Sequence, residues 1–288
     1  MPTEKTNKNK TPVKLSLLIE DFSAIGGLSL SIAISILSAL GIKIATLPTQ
    51  ILSTQTEGFG KPKNQKLNSW IKNSFKHWSK ISDLNLSSVL TGYIGNIQIC
   101  KLIEKFISTH NFKQIIIDPV MGDEGKLYPN LNSNYINVMR KLISQANVIT
   151  PNLTELSLLS NTFLNQSSSN QKILKAISKL PKKTQNHTNI VITGIKRNNK
   201  YYCCWKKPGT KFRWYGQKIF PGHFYGAGDL FSALITGFLN KKIPLKTTIY
   251  LTMKATNIAI KETSKEKINT RKYGLNLKNT INYISNLE

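Results

Sequence analysis

Acidic residues are scarce in this chain: fourteen Asp and Glu stand against forty Lys and Arg in 288 residues, a formal charge of +26 at pH 7. A charge of that size attracts any polyanion. Specific nucleic-acid recognition, however, needs basic residues gathered on one face or arm, beside aromatics or a known motif. Here the lysines are scattered from end to end with abundant Asn, which reads as a compositional bias and argues against a built nucleic-acid interface. The densest cluster, Lys5, Lys8 and Lys10, sits in a Thr/Asn-rich start, so residues 1–12 are expected to be a solvated, disordered arm. Cysteine is rare too. Cys100, Cys203 and Cys204 make neither a disulfide framework nor a metal-ligand spacing, which fits a reducing, cytoplasmic compartment. A P-loop and an internal repeat are also missing.

No long apolar run is clean enough to span a membrane. Phe22 to Ile42 carries no charge and follows a basic start, but Glu20 and Asp21 interrupt the run that begins at Leu15. Five serines and the glycines Gly26, Gly27 and Gly41 weaken it further. A buried first crossover helix explains the segment better, with Val13 to Ile19 as the first strand and Gly26-Gly27 opening the turn. No membrane partner is expected.

At 40% hydrophobic content the chain is globular, and its length suits one large core, so residues 13–288 are expected to form a single domain. Further strands are predicted at Lys43 to Leu47, Ser88 to Thr91, Gln114 to Asp118, Val148 to Thr150 and Asn189 to Thr193. Helices are predicted at Asn68 to His77, Gln98 to Thr109, Asn134 to Ala146, Leu153 to Leu159, Lys172 to Leu180 and Leu230 to Leu239. A hairpin with a Pro208-Gly209 turn is predicted over Lys200 to Lys218, and a surface loop over Ser160 to Gln171. This alternation predicts an α/β protein: a three-layer α/β/α sandwich with a central, mostly parallel sheet.

Three segments carry chemistry. In Tyr225-Gly226-Ala227-Gly228-Asp229-Leu230, two glycines precede a carboxylate at the head of an apolar helix. Glycine permits close backbone approach, and the first amides of a helix suit an anion such as phosphate. Asp229 would stand beside that phosphate as a general base, or would serve merely as an acidic first-turn residue. The second segment is Ile115-Ile116-Ile117-Asp118, a fully buried strand whose carboxyl end bears an acid, where open α/β sheets place ligands. A charged flap, Gly122-Asp123-Glu124-Gly125-Lys126-Leu127-Tyr128, follows it. In the third, Thr150-Pro151-Asn152-Leu153-Thr154-Glu155, Asn152 and Glu155 share one helical face. They suit a hydrated Mg2+, and equally a capping box.

Together, in this order, these segments resemble the ribokinase superfamily, and within it the pyridoxal/pyridoxine/pyridoxamine kinases of vitamin B6 salvage. Asp118-Pro-Val-Met-Gly-Asp-Glu-Gly-Lys-Leu-Tyr128 is close to that family's signature. Leu47-Pro48-Thr49, Leu52-Ser53-Thr54, Thr91-Gly92-Tyr93-Ile94-Gly95, Thr193-Gly194 and Arg271-Lys272-Tyr273-Gly274 extend the resemblance over about 270 residues. It implies a ribokinase-like fold, MgATP as phosphate donor, K+ as a candidate second ion, a B6 vitamer as acceptor and a homodimer.

By the same resemblance, Gly226, Ala227 and Gly228 form the anion hole, and Asp118, Asn152, Thr193 and Gly194 meet the nucleotide. Asp118 and Glu155 hold the Mg2+, while Asp21, Ser53, Gln55 and Tyr93 surround the pyridine ring under a flap bearing Asp123, Lys126 and Tyr128. Two positions depart from the family. Glu20-Asp21 stands where many members have Gln-Ser, and Gln55 where they have histidine. A hydroxymethylpyrimidine kinase of thiamine synthesis is the neighbouring reading, and a polyanion-binding protein on a kinase scaffold the non-enzymatic one.

Overall fold

The structure, a computed structural model, describes residues 12–287; residues 1–11 of the expected arm lie outside that range. Strand β1 (Lys14–Ser23), helix α1 (Leu30–Ala39), β2 (Ile44–Leu52), β3 (Asn64–Lys66), α2 (Asn68–Trp78), β4 (Asn85–Thr91) and α3 (Ile97–Thr109) come first. Then follow β5 (Gln114–Ile117), the small hairpin β6 (Gly122–Asp123) and β7 (Lys126–Leu127), α4 (Ser133–Ile143), β8 (Val148–Ile149), α5 (Leu153–Ser160), α6 (Asn170–Ile177) and α7 (Lys182–His187). Last are β9 (Asn189–Arg197), β10 (Lys200–Lys206), β11 (Arg213–Lys218), α8 (Ala227–Asn240), α9 (Leu245–Ser264), a 3-10 turn over Ile268–Tyr273 and α10 (Lys278–Ser285).

Nine strands make one sheet in the order β11-β10-β9-β8-β5-β4-β1-β2-β3. Strands β9 to β2 in that order run parallel. Antiparallel strands finish both edges: β10 and β11 on one, β3 on the other. Because helices cover both faces, the central strands are apolar on both. Leu17, Ile19 and Ile117 face the layer of α2 to α6, while Leu18, Leu90 and Ile116 face that of α1, α8, α9 and α10. The consecutive isoleucines of β5 thus serve two cores. This is the expected α/β/α sandwich.

The structure departs from the sequence reading in strand β1 and in helix α9. Strand β1 runs four residues past Ile19, because Glu20, Phe22 and Ser23 continue to pair with β2. The uncharged stretch after it is therefore strand, turn and a ten-residue helix. Helix α9 escaped notice because its core face is largely threonine: Thr248, Thr252 and Thr256 are buried at four-residue spacing beside Ile249 and Met253. Threonine reads as polar in a hydrophobic pattern, although its methyl packs like that of valine.

Helix α8 is buried from Leu230 through Phe238, enclosed by α1, α9 and the sheet. It carries the start of the cavity described below, so its seating sets the site. Phe238→Ala is expected to cost about 3–5 kcal/mol, the usual loss for a large buried ring, read as a lower urea midpoint.

Candidate active site

A cavity of about 1330 Å³ opens at the carboxyl ends of the parallel strands. Its walls include Asp21 and Ser23 of β1, Tyr93 after β4, Asp118 after β5, Thr150 and Asn152 after β8, and the start of α8. Single-ligand sites hold ~300–1,000 Å³, so there is room for a nucleotide and a small acceptor together. Parallel pairing brings these strand ends to one edge, which is why residues distant in sequence converge here.

The start of α8 is built for close approach. Gly226 caps it at φ 84°, in the left-handed region, and a Cβ there would come within 2.6 Å of Ile32 and 2.8 Å of Leu28. An L-residue there would be strained by the positive φ and would have to displace those side-chain ends. Gly228 has only open space where its side chain would be, so a ligand can reach the backbone of the first turn. Asp229, the third helical residue, accepts hydrogen bonds at Oδ2 from the Ser29 N–H at 2.8 Å and the Ser29 hydroxyl at 3.4 Å. Burial pushes its carboxyl up, and these two donors favour the ionised form. Ser29 holds φ 42°, an unfavourable value for serine, at the start of α1. Nothing local in the sequence marks Ser29 as the partner of Asp229. A second residue without a sequence signal for its role is Arg271. It stacks on Phe224 at 5.0 Å and donates to the carbonyls of Pro221 and Ser264, which holds the loop leading into α8.

Asp118 and Glu155 lie deep in the cavity wall. Burial raises the Asp118 carboxyl to about 8, with the nearby Asp229 charge adding to it. Glu155 is raised by burial and by Asp118, while its two oxygens accept from the N–H of Met121 at 3.2 Å and of Asn152 at 2.8 Å. The Asn152 side chain accepts in turn from the Glu155 N–H, so the capping box is formed. It also donates to the carbonyl of Gly122 at 2.9 Å, which ties the flap to the head of α5. The flap is the β6–β7 hairpin, anchored again where the Gly125 N–H donates to the Thr154 hydroxyl. Asp123 and Tyr128 line the cavity, and the Tyr128 ring meets Tyr93 edge-on at 6.2 Å; Lys126 is not among the lining residues. Thr193 and Gly194 also line the cavity, and Thr193 pairs with Asn152 in an isolated parallel bridge.

The expected ring-binding residues divide. Asp21 and Tyr93 line the cavity. Ser53 does not: its hydroxyl accepts from the Lys63 N–H at 2.9 Å. Gln55 lines it but is engaged by backbone, accepting from the Glu57 N–H and donating to the carbonyls of Glu57 and Lys272. It latches the loop after β2 to the 3-10 turn near the carboxyl end. Behind Asp21, Glu20 is 1% exposed, and neither of its oxygens has a hydrogen-bond partner. Gly92 makes space for it, since a Cβ there would stand 2.9 Å from Glu20 Cγ.

Residues 32–275 match the phosphomethylpyrimidine kinase family. The chain belongs to that family. It is similar to the pyridoxal kinase of Arabidopsis thaliana, with 30% identity over 222 residues covering 70% of each chain. It is also similar to a hydroxymethylpyrimidine/phosphomethylpyrimidine kinase of Haemophilus influenzae, with 29% identity over 58% of this chain and 62% of that one. Among solved structures, the pyridoxal kinase of Lactobacillus plantarum superposes with a TM-score of 0.88 at 33% identity, covering 94% of this chain and 96% of the other. The protein is an ATP-dependent phosphotransferase with the ribokinase-like fold.

In this kinase the scarce acids are concentrated at the cavity. Asp21, Asp118, Glu155 and Asp229 lie within it and Glu57, Asp123 and Glu124 at its rim, seven of the fourteen in the chain. Among the described residues the one ion pair is Lys265–Glu262, so no basic side chain neutralises them. No three His, Cys, Asp or Glu side chains of the described residues converge tightly enough to hold a metal alone. That donor set suits Mg2+, which keeps several waters and takes one or two carboxylates plus substrate phosphates.

Burial sets a pH dependence of stability. Asp118 and Asp21 are raised from 3.8 to about 8 and about 7. The fold therefore favours their protonated forms, and this stabilisation, complete below the unfolded value, is lost as pH rises through the folded values. Without ligands, the unfolding temperature is expected to fall between about pH 5 and 8. Asp118→Asn should flatten that decline, measured by differential scanning calorimetry.

Proposed function

We propose that this kinase transfers the γ-phosphate of MgATP to the hydroxymethyl group of a vitamin B6 vitamer. The observation that carries the reading is the Asp229 carboxylate, fixed by Ser29 at the mouth of an open glycine turn. Asp229 accepts the hydroxyl proton as that oxygen attacks, and the amides of Gly228 and Asp229 face the transferring phosphoryl group. Charge neutralisation and alignment are the main requirements of this chemistry. Asp118 and Glu155 would hold a hydrated Mg2+, which supplies further neutralisation of phosphate charge. Thr193 and Gly194 contact the nucleotide, and the β6–β7 flap covers the site. The anchored flap and the Leu47-Pro48-Thr49 segment favour a B6 vitamer over hydroxymethylpyrimidine. Similarity to a thiamine-pathway kinase keeps the latter as the second substrate to test.

The same reading includes a homodimer, a cytoplasmic location and one domain over residues 13–288. The continuous nine-stranded sheet supports the last of these. No helix of the described residues is long and apolar enough to cross a membrane.

The test is ATP- and Mg2+-dependent phosphorylation of pyridoxal, with hydroxymethylpyrimidine in parallel. Asp229→Asn is expected to lower kcat at least about a hundredfold, the typical size of a general-base contribution. Near-normal turnover in that variant would remove Asp229 from the role, and preference for the pyrimidine would change the acceptor.

A further inference from the structure

We propose that Asp21 selects among vitamers by charge and favours the one bearing an ammonium group next to the reacting hydroxymethyl; this rests on the cavity being the vitamer site. The three vitamers share a pyridine ring and a 5-hydroxymethyl group. They differ only at ring position 4, which holds an aldehyde, a hydroxymethyl or an aminomethyl group. Position 4 adjoins position 5, whereas the ring nitrogen is one atom further away. A hydroxymethyl presented to Asp229 therefore brings position 4 within reach of whatever neighbours Asp229 on the cavity floor.

That neighbour is Asp21. It is 7% exposed and lines the cavity, and Asp229 is the charge that acts most strongly on it. Ser29, which donates to Asp229 and lines the same cavity, also favours the ionised form of Asp21. The other titratable groups acting around Asp21 are Glu20 on its own strand and Tyr93 beyond β4. Neither is basic. Behind Asp21, burial raises the carboxyl of Glu20, whose oxygens are both buried and unpartnered. No lysine or arginine pairs with Asp21 among the described residues. A ligand can supply that counter-charge, and an aldehyde or alcohol at position 4 carries none. An alkylamine resembling the lysine head group, with a pKa of about 10, stays an ammonium throughout the neutral range. Burial and the Asp229 charge raise the Asp21 carboxyl to about 7, so ionised Asp21, and with it the selectivity, increases as pH rises through neutrality.

The experiment compares kcat/KM for pyridoxamine and pyridoxine at pH 6 and 8 in the full chain, Asp21→Asn and Asp21→Ser. Calorimetric binding of both vitamers without ATP runs alongside. The wild-type ratio is expected to favour pyridoxamine and to grow at the higher pH. In both variants it should drop at least about tenfold, as for loss of one partner of a desolvated charge pair, and lose its pH dependence. Turnover with an unchanged ratio in both variants overturns the selection and leaves the kinase reading intact. Absent turnover with a binding ratio that still shifts on substitution keeps the selection and removes the kinase reading. Binding of neither vitamer to the wild-type chain overturns both.

Discussion

The parallel pairing of β9, β8, β5, β4, β1 and β2 is the constraint on which the rest depends. Parallel strands need crossover connections, and these place helices on both faces and all carboxyl ends along one edge. Asp21, Tyr93, Asp118 and Thr150 meet at the cavity for that reason, although about 130 residues of chain separate the first from the last. Strand β1 runs parallel between β4 and β2, so its extension past Ile19 carries Asp21 to the cavity, with Glu20 buried behind it.

Electrostatics sets the cavity apart from its surroundings. A molecule of +26 net charge gathers half of its few acids around one opening and leaves them without basic partners. Burial of that kind is unfavourable by itself, and it raises the affinity of Asp21, Asp118 and Glu155 for protons. Under the proposed reading, a metal ion and a cationic acceptor would relieve the same repulsion on binding. The basic exterior works in the other direction by drawing a polyphosphate towards the opening.

Positioning comes from contacts that span the chain. Ser29 and Asp229 are 200 residues apart, and their bond joins the start of α1 to the start of α8. Gln55 joins the loop after β2 to Lys272, and the Gly27 N–H donates to the Tyr273 carbonyl at 2.9 Å. Arg271 steadies the loop that enters the glycine turn. The strained φ of Ser29 is held by the packing around it, as expected where geometry serves chemistry. The loop after β2, the glycine turn and Asp229 are therefore parts of one connected arrangement.

Much of this was legible locally. The isoleucine run of β5, the Asn152–Glu155 spacing and the glycine turn before Asp229 follow from short-range rules of burial, capping and backbone freedom, and the sequence by itself determined them. The threonine-faced helix α9 was not legible, because a hydropathy pattern counts the hydroxyl and misses the methyl. The engagement of Ser53 and Gln55 by backbone, the orphaned burial of Glu20 and the bond from Ser29 to Asp229 were decided only by tertiary structure. Each depends on which groups the sheet brings together across long sequence separations, and nothing in the immediate neighbourhood of these residues records those partners.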